Sequence, residues 1–509
     1  MIKRVYQSIY SLPVFWSVFL IGILFRILYH FIGVVDFWGD SYHNVYISWL
    51  TVENDWIYSD YAGREVVWLP FYRYLSGLLM FLFDSYSLEI AYVLNSVLSA
   101  LCCGMVGVLV VPRTNKKFGL YAGIILGLLP WYLAYSHMNM PEILSSLILV
   151  LMLYVWEKQK YQWLLLIAFV GVLTRSEVTF VMMVFGVILL LKKQWNPAFY
   201  LALGSVIGLL IWGYWCYSIT GEFFWWINER IVGSTWVNFY QRSHGYGKGA
   251  WYHPFVTIFI SFPFIVLMIA KSGTLYRFIK KEWHHGSWFS LALAGLLFIH
   301  WIFLFTLQYR VIGYPDPKYY VVTLPIAIIL LFIWLHHWNT YNRALNSILI
   351  FTIIFLIGHL VPFYYMNYSD FNATKVAGYL KANPPGEGNI WMDFTSTWYQ
   401  SGISAERIYS SKQITPRERT SENFESIIEN NMILNDIRYI MAAPASFTYV
   451  LNVFPQMDKS DDFTWRGFRI HQLYKFDPLA SSVELNAIER MAISEQWASF
   501  WEVTYVEEQ

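Results

Sequence analysis

The stretch Leu69-Pro70-Phe71-Tyr72-Arg73-Tyr74-Leu75-Ser76-Gly77-Leu78-Leu79-Met80-Phe81-Leu82-Phe83 can be read in two ways, and the choice orients everything after it. Counted as a membrane span, it inverts every later loop. A spanning helix needs roughly 20 mostly apolar residues; this one is shorter and carries Arg73. The loops decide between the readings. Pro112–Lys117, Glu157–Lys160, Lys192–Gln194, Lys271–His285 and His336–Arg343, with the N-terminus, hold 14 Lys and Arg but only two acids, Glu157 and Glu282. In the alternate loops acids outnumber bases, with Asp36, Asp40, Glu53, Asp55, Asp60 and Asp316 among them. Cytoplasmic loops keep the excess of Lys and Arg, so the first set is expected inside and the second outside. The alternation holds only if 69–83 does not cross. It is therefore expected as an amphipathic helix in the outer interface, with Pro70 in its first turn.

Composition supports a chain that lives in lipid. The 509 residues are 57% hydrophobic, 20% aromatic and only 14% charged, whereas soluble domains are about 25% charged. Surplus Trp and Tyr suit membrane–water interfaces. A net charge of +1 gives no support to a nucleic-acid partner. Cys102, Cys103 and Cys216 lie in apolar runs, which predicts neither a disulfide framework nor a metal cluster. Lys3 and Arg4 precede an apolar run with no small-residue cleavage pattern, so a retained first helix is expected.

The expected fold class is an α-helical polytopic membrane protein with a C-terminal extracytoplasmic α/β domain. About 11 transmembrane helices are expected, at 13–34, 88–111, 118–135, 141–156, 162–174, 178–191, 197–218, 254–271, 288–307, 319–335 and 344–366. The membrane domain then covers 1–366, including a first external loop, 35–87, with amphipathic helices. Residues 367–509 carry twelve Lys/Arg, nineteen Asp/Glu and no spanning run. Strand-like Asn389–Asp393, Arg438–Ala442 and Arg466–Tyr474 alternate there with helix-like Ala373–Ala382, Ser421–Asn431 and Val483–Trp497, the pattern of a small α/β domain. The protein is expected in the plasma membrane, with its N-terminus cytoplasmic.

The outward-facing helix ends collect the groups that could carry chemistry. After the first span comes Asp36-Phe-Trp-Gly39-Asp40-Ser-Tyr42-His43-Asn44, and an ionisable cluster at such a boundary is costly unless it faces water or a site. Glu142 opens the fourth span, Arg175-Ser-Glu177 follows the fifth, and a long loop holds Arg242, His244 and Lys248. Arg310 and Asp316-Pro-Lys318-Tyr-Tyr320 precede the tenth span. A carboxylate can take a hydroxyl proton, and Arg and Lys can hold a phosphate and stabilise it as it leaves. Such a rim above apolar walls points to transfer chemistry on a lipid-linked phosphate. Simpler roles stay open. Asp36 also reads as a helix-end acid, Glu142 as an acid favoured by the helix dipole, Arg175 and Glu177 as partners of each other, and Lys318 and Arg310 as interfacial anchors. Arg242 and His244 lie in a Gly-rich loop that either covers a substrate or is simply external.

The succession of short motifs resembles the GT-C glycosyltransferases, which use polyprenyl-phosphate sugars, and best matches the branch of protein O-mannosyltransferases and aminoarabinose transferases. It runs through Gly39-Asp40-Ser-Tyr42, Trp68-Leu-Pro70-Phe-Tyr72, Leu-Leu-Pro130-Trp131, Glu142, Leu173-Thr-Arg175-Ser-Glu177 and Pro317-Lys318-Tyr319-Tyr320. The resemblance implies that Asp40 is the catalytic base for in-line attack on the anomeric carbon with inversion. It implies that Glu142 sits near the donor or an optional metal, and that Lys318 contacts the lipid phosphate. Arg310, Arg175, Arg242 and His244 join them as candidate substrate or lipid-phosphate ligands. Many relatives have two adjacent acids in the first loop; here Gly39 precedes Asp40, so Asp36 or Glu142 would supply the second acid. No cofactor is required, although a divalent cation is compatible. The expected partners are a polyprenyl- or dolichyl-phosphate sugar, with mannose as the family's type, and a glycan, lipid or protein acceptor. The competing class is a flippase of lipid-linked saccharides, which predicts mid-membrane charges and repeat symmetry.

Overall fold

The computed structural model describes residues 2–32, 39–53, 55–56, 69–224, 226–227, 251–284, 288–307, 317–338, 341–366, 371–410, 414, 418, 421–443, 450–477 and 497–506. Their contacts divide the chain into two compact units, a helical one and one that holds a sheet.

The helical unit contains α1 (Ile2–Phe31), α3 (Phe71–Leu82), α4 (Leu88–Val110), α5 (Lys116–Leu128), α6 (Pro130–Tyr135), α7 (Glu142–Glu157), α8 (Trp163–Val172), α9 (Ser176–Leu191) and most of α10 (Trp195–Thr220). It continues through α11 (His253–Ser261), α12 (Ile265–Ala270), α13 (Ser272–His284), α14 (Trp288–Leu307), α15 (Lys318–Val321), α16 (Leu324–His337) and most of α17 (Tyr341–Met366). Four described helices are long and apolar enough to cross a membrane alone, over Pro13–Phe31, Leu88–Arg113, Trp195–Ser218 and Trp288–Thr306. Five shorter apolar helices accompany them. Several expected spans are broken. The span at 118–135 is interrupted at Leu129, whose ψ of 126° is extended as required before Pro130. Phe262-Pro263-Phe264 separates α11 from α12, and Val322-Thr323 separates α15 from α16.

Large apolar side chains on these helices face outward, with Leu20 64%, Phe31 80% and Leu191 74% exposed. In water each would forgo roughly 1.5–3 kcal/mol of burial; against lipid tails it does not. The helix α3 is built the same way. It buries Tyr72, Arg73 and Ser76 and turns Leu78, Phe81 and Leu82 outward, which suits the interfacial helix expected from the sequence.

Helix contacts in this unit rely on absent side chains. Gly119, Gly123 and Gly127 form one stripe of α5. A Cβ at Gly119 would stand 2.8 Å from the Gly107 carbonyl oxygen of α4, and one at Gly123 would stand 2.6 Å from that of Cys103. Gly204 of α10 likewise meets the Leu165 backbone of α8, and Gly208 meets Phe169 and Val172. Without a hydrophobic drive between helices in lipid, such small-residue seams let backbones approach and gain dispersion.

The second unit joins α2 (Gly39–Glu53) to the C-terminal elements α18 (Phe371–Ala382), β1 (Asn389–Trp391), α19 (Thr395–Ser401), β2 (Ile408–Tyr409), α20 (Phe424–Leu434), β3 (Ile437–Ala442), β4 (Asp462–Trp465), β5 (Phe468–Phe476) and β6 (Ala498–Tyr505). The sheet order is β2-β1-β3-β6-β5-β4, with β2, β1 and β3 parallel and the remaining pairs antiparallel. Neighbouring side chains on a strand enter opposite layers. Trp391 and Ile440 enter one core; Ile390, Tyr439 and Met441 enter the other. Covering on both faces explains why these strands are apolar without alternation. Arg466 (φ 45°) and Gly467 (φ 79°) make the tight β4–β5 turn. The expected helix at Val483–Trp497 lies, up to Glu495 and Gln496, outside the described residues. The expectation placed all of 35–87 with the membrane helices; by contacts, α2 groups with the sheet instead.

Replacing Gly123 by Val should lower the unfolding midpoint of the detergent-solubilised protein by the equivalent of about 1–3 kcal/mol of overpacking. Gly358→Ala, with nothing within 4 Å of its Cβ, should be neutral or slightly stabilising. Equal midpoints for the two variants would remove the seam from the account of folding.

Candidate functional site

Glu142 is presented by a loop that has no regular structure and yet is fully buried. After α6, residues 136–141 are held by side chains from neighbouring helices. Asn95 of α4 donates through Nδ2 to the carbonyls of Met138 and, at 2.9 Å, Met140. The Tyr72 hydroxyl donates to Asn139 Oδ1 at 2.8 Å. His137 stacks on Tyr92 with ring centroids 4.4 Å apart and lies 3.1 Å from His30 Nδ1 through its own Nε2. Burial, with His30 beside it, pushes the His137 imidazole down to about 4. Pro141 then starts α7, and Glu142 falls in its first turn, where the helix dipole favours an acid.

Arg175 closes this cluster from the turn before α9. Its Nε donates to Glu177 Oε2 at 2.9 Å and its second terminal nitrogen to Glu177 Oε1 at 3.1 Å, a forked pairing. The remaining terminal nitrogen is bonded to Glu142 Oε1. The side chains are 12% exposed for Arg175, 5% for Glu177 and 0% for Glu142. Burial alone pulls the guanidinium pKa down; the two carboxylates outweigh it and hold it well above its ordinary value. Glu142 Oε2 is buried and has no hydrogen-bond partner among the described residues.

Lys318 enters from the other side. The Tyr319 ring stands between the cations, 5.6 Å from the Arg175 guanidinium and 5.2 Å from Lys318 Nζ. Lys318 acts electrostatically on Glu142. Ser146 Oγ, within 3.0 Å of both the Glu142 and Val321 carbonyls, ties α7 to α15. The break after α15 is supported by Thr323, whose Oγ1 lies 3.2 Å from both Trp301 Nε1 and His300 Nδ1. Glu142, Arg175 and Lys318 thus meet in one cluster, joined by Glu177.

Asp40 belongs to the other unit, in the first turn of α2. The same helix packs on α19, with Tyr42 5.5 Å from Tyr399 and Tyr46 4.7 Å from Trp398 between ring centroids. Asp36, Arg310, Arg242 and His244 lie outside the described residues. Among the described residues no three His, Cys, Asp or Glu side chains gather as a metal site. The two acids at the mouth are bridged by Arg175.

Sequence reading passed over several buried polar groups of the helical unit, and used Arg73 only as a reason against a span. Arg26, deep in α1, is buried and bonded to Ser99 Oγ at 2.8 Å and the Gly22 carbonyl at 3.1 Å. Arg73 is buried and donates to the Leu69 carbonyl at 3.0 Å. An arginine inside an apolar run was the available signal for both. Asn95 and Asn139 gave a weaker one, since neutral amides occur in many helices without a structural task.

No protein-family model matches the sequence, and no curated protein matches it significantly. Solved structures identify the fold class: the chain is a polytopic membrane protein with the fold of the GT-C glycosyltransferases, as its motifs resembled. It is similar to ArnT from Cupriavidus metallidurans bound to undecaprenyl phosphate, with a TM-score of 0.58 at 13% identity over 89% of this chain and 95% of that one. The apo form of ArnT gives 0.54 at 13% identity over 83% and 90%. The oligosaccharyltransferase of Archaeoglobus fulgidus gives 0.45 at 12% identity over 86% and 70%.

Two outcomes follow from this geometry. Arg175→Met leaves two buried carboxylates uncompensated and should cost about 3–5 kcal/mol, read as a lower unfolding midpoint. Adding Glu142→Gln and Glu177→Gln should recover much of it; an unchanged midpoint in the single variant would contradict the network. As pH falls from 6.5 towards 4, the unfolded chain binds a proton at His137 before the folded chain does. Stability is therefore lost across that window, by on the order of 3 kcal/mol. His137→Phe, which keeps the ring stack, should flatten the slope in denaturant titrations at pH 7 and 4.5.

Proposed function

We propose that the protein is an integral-membrane inverting glycosyltransferase, moving one sugar from a polyprenyl or dolichyl phosphate to an acceptor hydroxyl at the extracytoplasmic face. The observation that carries this reading is the buried Glu142–Arg175–Glu177 cluster with Lys318 at the ends of apolar helices. Support also comes from the likeness in fold to ArnT, solved with undecaprenyl phosphate, over nearly the whole of both chains. The reading takes eleven spans, a cytoplasmic N-terminus and an external sheet unit, following the charge asymmetry of the loops.

In this mechanism Asp40 accepts the proton of the acceptor hydroxyl. The freed oxygen attacks the anomeric carbon from the face opposite the phosphate, the bond from that carbon to the phosphate oxygen breaks, and the polyprenyl monophosphate leaves. Lys318 and Arg310 hold the phosphate as its charge grows. Arg175 has all three of its nitrogens engaged with carboxylates, so its part is to position Glu142. The second Glu142 oxygen then accepts a hydroxyl of the donor sugar. The sugar is a hexose of the mannose type, and the acceptor is a glycan, lipid or protein.

Purified protein given a radiolabelled polyprenyl-phosphate hexose and envelope extract as acceptor should release polyprenyl phosphate and label the acceptor. Asp40→Asn should lower turnover by at least about 100-fold, the usual contribution of a general base, while the unfolding midpoint holds. Lys318→Ala should raise the KM for the donor. Normal turnover by the Asp40 variant would refute its role as base. Donor crossing liposomes with its sugar bond intact would replace the transferase with a flippase.

A further inference from the structure

At the opposite end of α7 and α9, the helical unit holds a cation-lined cavity. Fifteen steps of 1.5 Å put Glu157 about 22 Å from Glu142 along α7. That is most of the roughly 30 Å of a bilayer's hydrocarbon. The cavity is about 290 Å³, and Arg113, Trp156, Lys158, Lys192, Trp288 and Phe289 are among its lining residues. Arg113 is balanced, bonded to Glu157 Oε2 at 2.6 Å with its guanidinium 3.5 Å from the Phe289 ring centre. Lys192 is different. Its Nζ lies 4.4 Å from the Trp288 ring centre and 5.7 Å from that of Trp156, and among the described residues it pairs with no carboxylate. Burial pushes this ammonium down to about 8, a loss that a neighbouring anion would reverse.

Trp288 also lines a neighbouring apolar cavity of about 590 Å³, which reaches along α14 to Trp301 and is walled by Leu191, Phe262, Leu291 and Leu330 among others. The thirteen residues from Trp288 to Trp301 correspond to about 20 Å of helix. One indole is therefore shared by a cation-rich chamber at the helix ends and a hydrocarbon-lined cavity along α14. That juxtaposition has the chemistry of an amphiphile: anionic head, aromatic collar, apolar tail.

We propose that these joined cavities bind an anionic glycerophospholipid, its phosphate beside Lys192, Lys158 and Arg113 and an acyl chain against α14. Charge complementarity favours an anionic head, because three cations line the chamber with one acid. Basic pockets between membrane helices bind lipid head groups in this way. The depth separation distinguishes this lipid from the sugar donor, whose phosphate the proposed mechanism places by Lys318 at the other helix ends.

The test uses the full-length protein stripped of lipid in detergent, with phosphatidylglycerol, phosphatidylcholine of the same chains and undecaprenyl phosphate as probes. Native mass spectrometry reads bound lipid, and the unfolding midpoint reads stabilisation. Phosphatidylglycerol should be retained and should raise the midpoint more than phosphatidylcholine. Lys192→Gln should weaken its binding about five-fold, the effect of one cation near a lipid surface. Lys192→Arg should restore it, and Lys280→Gln, an exposed cation of α13, should leave it unchanged. Equal binding of the two phospholipids, an equal loss in Lys280→Gln, or loss of only undecaprenyl phosphate in Lys192→Gln would overturn the proposal. The wild-type preference between phospholipids stands as a test even if the Gln variant misfolds. All readouts are independent of sugar transfer.

Discussion

One guanidinium fixes the geometry of the mouth. Arg175 joins the first turn of α7 to the first turn of α9 and, through the Tyr319 ring, reaches the short α15. The last of these is a four-residue helix, so its position depends on such contacts. Taking an ion out of water costs several kcal/mol even after relaxation, so such a cluster persists only with excellent geometry and satisfied hydrogen bonds. The forked contact to Glu177 and the bond to Glu142 meet that demand for the guanidinium, and Glu142 Oε2 is left without a partner among the described residues. A lysine would bring a single point charge instead of a planar fork and could not span both acids in this way.

The same constraint explains the surroundings. Irregular backbone at membrane depth is tolerated only where protein encloses it, and residues 136–141 are all buried. Their carbonyls and side chains are met by Asn95, Tyr72 and the turns of their own loop. These polar contacts require helices close together, which the glycine stripe of α5 allows by bringing α4 within backbone contact. Small residues in the seam and amides at the mouth are therefore two parts of one solution. The first sets the distance, and the second satisfies the groups that the distance exposes.

What could be read from sequence follows the range of the interactions. The α3 helix was legible because its length, Arg73 and the loop charges pointed the same way. The pairing of Arg175 with Glu177 was legible because the residues are two apart; its reach to Glu142, 33 positions away, was not. The breaks at Leu129, Phe262 and Val322 were hidden because hydropathy continues across them, although each stands close to a proline. In the sheet unit β1, β3 and β5 were visible as apolar segments, whereas β6 was missed. Its pairing with β3 and β5 is decided by partners far away in sequence. Arg26 escaped attention for the opposite reason: a single charge in a long apolar helix was absorbed into the span.

The placement of α2 bears most directly on catalysis. Tyr46, Trp49 and Leu50 pack with Trp398, Ile390 and Phe394 in one layer of the sheet unit. The aromatic side of the helix is thus committed to that layer, and Asp40 lies in the first turn of the same helix. The sheet can bear that load because Ile390, Met392, Ile408 and Met441 fill the layer that α2 joins, while Trp391, Ile440 and Trp501 close the opposite face. A helix packed in this way keeps its direction through side-chain packing. In the transferase reading, the C-terminal domain is therefore part of the catalytic apparatus: removing it would unseat Asp40 even though no residue beyond α2 need touch the sugar.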